Sequence, residues 1–269
     1  MTEIRLGSMG WSYEDWRGPF YPRDLPASKM LEVYSRVFEP GTVEVDATFY
    51  GVPRPKTVAG WAAQTPPGFL FSAKVPRAVT HERRLAGAVE DALPFGALLR
   101  AHLGEGLGAL LLQLPPDFST DERPAFDAFV AGVTSPRGEP GLPWVVEFRH
   151  ASWAETEVVA DLAQAGVGCA TTERLDLGGP LTYLRLLGTE NAVARFDAPV
   201  LARPDEVARW AERIARERAE RRSGRILVYV RNFFEGHAPA TLLALRARLG
   251  LPVPTPPGRQ QMDLFSGLL

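Results

Sequence analysis

The sequence predicts a parallel (β/α)8 barrel of the TIM type. Eight short runs rich in apolar and β-branched residues follow one another. They are Arg5–Gly10, Thr42–Thr48, Phe69–Pro76, Gly108–Pro115, Trp144–His150, Val167–Glu173, Thr182–Gly188 and Arg225–Phe233. Between most of them lies a stretch with helical spacing of apolar residues, and this alternation is the pattern of the fold. The length of 269 residues is close to the ~250 usual for it.

The helical stretches follow in order. Lys29–Phe38 places Met30, Leu31, Tyr34, Val37 and Phe38 at helical spacing, with Ser28 as the expected N-cap and Glu32 in the first turns. Pro55–Gln64 is short and starts on proline. Val89–Leu103, Glu122–Ala131, Glu155–Ala165, Pro204–Arg222 and Pro239–Leu249 complete the set. Pro204-Asp205-Glu206 puts proline and acids in a first turn, and Gly224 follows a basic last turn. One irregularity is expected. Arg174–Leu181, with Gly178-Gly179-Pro180, leaves no room for an ordinary helix between strands six and seven. An open doubly wound sheet is the other layout, but no Gly-x-Gly-x-x-Gly follows the first strand. The barrel is read over residues 1–250. Residues 251–269 are read as a proline-rich flexible tail, because Leu251–Gly258 holds four prolines and suits an extended spacer.

Composition narrows the function classes. The net charge of −2 excludes a generally basic, nucleic-acid-coating protein, although a local basic site stays open. The single cysteine, Cys169, excludes an intrachain disulfide and a cysteine zinc cage, and its apolar neighbours suggest an inert thiol. No run of 18 apolar residues suggests a membrane span, and Met1-Thr2-Glu3-Ile4-Arg5 lacks the pattern of a signal peptide. The expectation is a cytoplasmic protein without a membrane partner. Arginine outnumbers lysine 27 to 3, which makes each lysine worth placing.

In this fold, chemistry sits at the C-terminal ends of the strands. Strand one ends before Trp11 and Tyr13. Strand two carries Glu44 and Asp46 on one face and ends near Tyr50. Strand three ends with Lys74, strand four with Gln113. Strand five carries Glu147 and Arg149, which alternation puts on one face, while Phe148 and His150 take the other. Strand seven supplies Arg185 and strand eight Asn232, with Trp153 just past strand five and His81 past strand three. A structural core would use Val, Ile and Leu at these places, so the polar set reads as a ligand or catalytic site. For Glu147 and Arg149 alone, a structural ion pair is an equal alternative. Glu44 and Glu147 are the acid–base candidates, and Lys74 is a base, an amine nucleophile or a phosphate ligand. Lys74, Arg149 and Arg185 could clamp a phosphate. Trp11 and Trp153 could stack on a base or a sugar. With two carboxylates, a sugar or sugar-phosphate hydrolase or isomerase is the competing class, and a non-catalytic ligand-binding adaptor is a third. No His-Glu-x-x-His and no Gly-x-Ser-x-Gly occurs, so neither a zinc protease nor a serine hydrolase is supported. No metal is assigned and the cofactor is left unknown.

Several of these stretches resemble one family in combination. Gly10-Trp11-Ser12-Tyr13 with Phe20-Tyr21-Pro22, Val43-Glu44-Val45 with Thr48-Phe49-Tyr50, and Phe69–Pro76 with Thr80-His81 are similar to it. So are Leu112-Gln113-Leu114-Pro115-Pro116, Val146–His150 with Trp153, Tyr183-Leu184-Arg185, and Asn232. They resemble the YecE-like family, catalogued as domain of unknown function number 72, over about residues 5–250. The resemblance implies a TIM-like barrel and a strand-end site, but no reaction. Leu187-Gly188 and Arg231-Asn232 stand where the family often has His-Gly and Asn-Asn.

Gln261-Met262-Asp263-Leu264-Phe265 is similar to the pentapeptide by which bacterial DNA-handling proteins bind the replication sliding clamp. Leu264 and Phe265 would fill an apolar pocket, and Gln261 would bond at its rim. The expectation is therefore a barrel protein acting on nucleic acid or another phosphorylated ligand, and recruited to the clamp through residues 261–265.

Overall fold

A computed structural model of the chain describes residues 2–135, 141–155, 157–178, 182–220 and 224–259. Its eight strands are β1 (Glu3–Met9), β2 (Thr42–Val45), β3 (Leu70–Lys74), β4 (Leu107–Gln113), β5 (Trp144–Glu147), β6 (Gly168–Thr172), β7 (Tyr183–Leu186) and β8 (Arg225–Val230). They follow one another in sequence order as a closed barrel. Adjacent strands pair in parallel, with Glu3 beside Arg225 in the β1–β8 pair and Gln113 beside Glu147 in the β4–β5 pair. The helices are α1 (Met30–Val37), α2 (Pro55–Gln64), α3 (Val89–Leu103), α4 (Arg123–Thr134), α5 (Val158–Gln164), α6 (Pro204–Glu220) and α7 (Ala238–Arg248). Among the described residues no helix separates β6 from β7, as the short glycine-rich connection implies. No described helix is long and apolar enough to cross a membrane.

The chain forms two compact units. One holds Met1–Val43, Gln64–Phe69 and Arg185–Leu269; the other holds Glu44–Ala63 and Leu70–Leu184. The core of the first is aromatic. Phe20 stacks on Phe38 at 5.5 Å, and Tyr34 packs on Phe38 at 5.1 Å. Buried Tyr34 anchors α1 to β1, because the Ser8 N–H donates to its hydroxyl at 2.7 Å. In the second unit Trp153 closes a cluster with Phe126 and Phe148 at 5.2 and 4.4 Å. Each such buried ring stabilises by about 1.5–3 kcal/mol relative to exposure.

Three expectations change. Ser28 does not cap α1; the helix is entered through a 3-10 turn at Ala27–Lys29, with Lys29 as N-cap and no side-chain cap bond. Strands β2 and β5 end earlier than the apolar pattern suggests, at Val45 and Glu147, so Asp46 and Arg149 lie beyond them. The segment expected to be a free spacer is laid on the first unit. The Gly258 N–H donates to the Phe20 carbonyl at 3.0 Å, the Leu251 N–H to the Arg246 carbonyl at 2.9 Å, and Pro256 and Gly258 are buried. Prolines prevent a ladder here, but they do not prevent docking through the remaining backbone groups. Gln261, Leu264 and Phe265 lie outside the described residues.

Candidate functional site

The second unit gathers most of the charged strand-end residues. Glu44, in β2, is fully buried, and Tyr183, in β7, donates its hydroxyl to Glu44 Oε2 at 2.7 Å. Glu147, the last residue of β5, is also buried, and the Gln113 side-chain amide donates to its Oε1 at 2.9 Å. A buried carboxylate is costly unless it is hydrogen-bonded, and these bonds answer that cost. Asp46 and Lys74 form an ion pair of 2.7 Å at the ends of β2 and β3. Thr48 ties the same two strand ends by donating to the Lys74 carbonyl at 2.7 Å.

His81 follows β3 in a π-helical turn, Ala78–Glu82. Phe49 meets its ring edge-on at 4.9 Å, and Thr80 Oγ1 lies 2.8 Å from its Nδ1. Burial holds its imidazole below the usual range, with the charges of Arg149, Arg77 and Lys74 acting in the same direction and Asp117 opposing. Arg149 itself is exposed, not turned inward with Glu147 as strand alternation implies, because the strand has already ended. His150 is set by a local relay. The Thr120 N–H donates to Ser152 Oγ at 3.1 Å, the Ser152 N–H donates to His150 Nδ1 at 3.3 Å, and Ser152 Oγ lies 2.8 Å from that nitrogen. Both groups of Ser152 converge on Nδ1 and set the orientation of the ring.

One aromatic candidate differs from expectation. Trp153 is fully buried, stacks with Phe118 at 6.1 Å and donates Nε1 to the Phe118 carbonyl at 2.9 Å. Its faces are spent on the core, so it offers no stacking surface to a ligand. Tyr50 is 79% exposed, on the 3-10 turn after β2, and packs on Phe49 at 5.3 Å. Burial pushes the Cys169 thiol up to about 12, which agrees with an inert cysteine.

In the first unit, Trp11 is half-buried and its carbonyl accepts from the Tyr21 hydroxyl at 2.7 Å. Tyr13 donates to the Met9 carbonyl at 2.6 Å. Arg185 is buried, with Nη2 3.5 Å from Met9 Sδ. Asn232 is buried at the end of β8, where its Oδ1 accepts from Trp16 Nε1 at 3.2 Å and the Ala238 N–H at 3.0 Å. Nearby His237 is driven down to about 4 by burial, reinforced by the Arg259 charge.

Sequence reasoning missed Tyr183, Arg77, Asp117 and Ser152. Arg77 and Asp117 each stand just after a proline that follows a strand, Pro76 and Pro116, which was the available signal. Among the described residues no group of three or more His, Cys, Asp or Glu side chains gathers as a metal site.

Fold and strand-end chemistry together define a TIM-type barrel protein with buried carboxylates and peripheral cations. The chain belongs to the family described as protein of unknown function DUF72, whose model matches residues 5–262. It is 32% identical over 148 residues to the protein YecE of Escherichia coli, covering 55% of this chain and 48% of that one. It is 28% identical over 155 residues to YunF of Bacillus subtilis, covering 56% and 52%. The chain thus spans about half the length of the curated relatives it matches. A crystal structure of a DUF72 family protein from Thermotoga maritima aligns with TM-score 0.70 at 23% identity, over 92% of this chain and 99% of that one. That likeness shows the fold.

Proposed function

We propose that the chain is a barrel enzyme acting on a phosphorylated ligand. The observation that supports this reading is three cations at strand ends, Lys74 closing β3, Arg77 soon after it and exposed Arg149 just beyond β5, in the unit that buries Glu44 and Glu147. Cations at a partly exposed rim suit a phosphate group. Buried carboxylates suit proton transfer at the rest of the ligand. In this reading Arg149 and Lys74 bind the phosphate, and Glu147 and Glu44 are the acid–base pair. Asp46 neutralises part of Lys74, so Arg149 supplies most of the attraction.

Calorimetric titration tests it, using inorganic phosphate, a hexose phosphate, a nucleoside monophosphate and the corresponding neutral sugar. The phosphorylated compounds should bind, and Arg149→Ala should weaken them at least about tenfold, or ~1.4 kcal/mol. Equal binding of the neutral sugar would overturn the reading in favour of a carbohydrate-directed site.

The peptide Gln261–Phe265 supports a second proposal, recruitment to the DNA sliding clamp. Titrating purified clamp against the full chain and a Leu264→Ala, Phe265→Ala double variant tests it. Micromolar binding is expected for the full chain, about 8 kcal/mol, and none for the variant. Equal behaviour of the two would remove recruitment and, with it, the link to nucleic acid.

A further inference from the structure

The turn that follows β5 carries an imidazole and a hydroxyl two residues apart and holds them in contact. Ser152 lies in the 3-10 turn Ala151–Glu155, and His150 stands immediately before it. Both are half-buried, and their neighbours Arg149 and Ala151 are exposed, so the pair borders solvent. Ser152 Oγ lies 2.8 Å from His150 Nδ1, within the reach of about 2.6–3.2 Å between a nucleophile and its base. The Thr120 N–H donates to the same oxygen at 3.1 Å, so one donor already faces the atom on which negative charge would develop. The turn is fixed from both sides. The Trp153 N–H donates to the His150 carbonyl at 3.4 Å, and the fully buried Trp153 indole donates to the Phe118 carbonyl at 2.9 Å. All these groups belong to the second unit. The sequence lacks a Gly-x-Ser-x-Gly elbow; here the buried indole next to the serine supplies the rigidity. A pair supported in this way does not have to be assembled when a ligand arrives.

We infer that Ser152 is a nucleophile toward the phosphoryl group of a phosphate ester, with His150 Nδ1 taking its hydroxyl proton. The choice of a phosphorylated substrate rests on the reading above; the serine–histidine geometry does not. The step balances. An Oγ–P bond forms and the ester P–O bond breaks, its electron pair leaving on the alcohol oxygen. The hydroxyl proton moves to Nδ1 and on to that oxygen, so serine becomes phosphoserine and the alcohol is released. Water then cleaves the phosphoserine to serine and phosphate.

The test is covalent labelling of the full chain with diisopropyl fluorophosphate, in which attack by Oγ expels fluoride, followed by peptide mass mapping. The adduct should map to Ser152. His150→Asn keeps a side-chain acceptor for the Ser152 N–H but cannot take up the proton, so the labelling rate should fall at least ~100-fold. His150→Gln, its fold checked alongside by circular dichroism, should behave alike. Wild-type protein without an adduct at Ser152, or a folded variant that labels as fast as the wild type, would overturn the inference and leave the imidazole as a cap of the turn. Either result leaves the phosphate titration of the proposed function standing. Labelling through His150 in a protein that binds no phosphorylated compound would retain Ser152 as the nucleophile and overturn its phosphoryl substrate together with that reading.

Discussion

Tyr183 donates its hydroxyl to Glu44 Oε2 across 2.7 Å, and both side chains are fully buried. The bond joins β7 to β2 within one compact unit and gives the carboxylate a donor where water has no access. Removing that donor while keeping the ring isolates its contribution. Tyr183→Phe should destabilise the fold by about 1–3 kcal/mol. Urea unfolding of the two proteins measures this; coincident midpoints would mean that the bond contributes nothing.

His237 makes stability sensitive to acid. Its folded value of about 4 lies below the unfolded ~6.5, because the buried ring resists charging. The sign follows directly. The unfolded chain binds the proton first, so the His237 contribution is complete above pH ~6.5 and is lost as pH falls toward 4. The full span is roughly 3 kcal/mol. Subtracting the pH profile of His237→Gln from that of the wild type isolates it. Parallel profiles between pH 7.5 and 4 would refute the assignment.

Gly188 combines a positive φ of +67° with a close backbone neighbour. A Cβ there would lie 2.1 Å from the Phe233 carbonyl oxygen. Gly178 has a φ of +76°, and among the described residues a Cβ there would meet nothing within 4 Å. Alanine at Gly178 should cost only the backbone preference, about 1–2 kcal/mol. Alanine at Gly188 should cost a further ~1–3 kcal/mol, because Phe233 must move. Equal losses in thermal or chemical denaturation would show that the loop after β8 yields freely.

Gly258 is where the proline-rich segment meets the first unit. A Cβ there would lie 2.4 Å from the Gly18 carbonyl oxygen and 2.5 Å from that of Tyr21. Gly258→Ala should therefore lift the segment and speed hydrogen exchange at residue 258 by at least about tenfold. Exchange at the β1 amides should be unchanged. A protected amide in the variant would contradict the docking.

All eight strands and seven helices were legible in the sequence, because their periodicity is carried by residues that must be buried. Strand ends were less legible. Apolar character runs on through Phe148, yet β5 stops at Glu147, and Arg149 faces solvent. The polar strand-end inventory was readable as types, since Glu44, Lys74, Gln113 and Glu147 each stand beside apolar residues in their strands. Their partners were not: Tyr183 meets Glu44 from 139 residues away. Trp153 shows the opposite failure. Its position beyond a strand suggested a ligand platform, but Phe118, Phe126 and Phe148, drawn from three separate stretches, enclose it. The setting of His81 depends on loops after β2, β3 and β4, and no local pattern announces it.

Docking at Gly258 also joins distant parts of the sequence. Its amide bonds the Phe20 carbonyl, which lies far earlier in the chain but in the same compact unit. A contact between positions so far apart can form only once that unit has assembled around it. The exchange of this single amide therefore reports on the integrity of the whole first unit and not on a local turn.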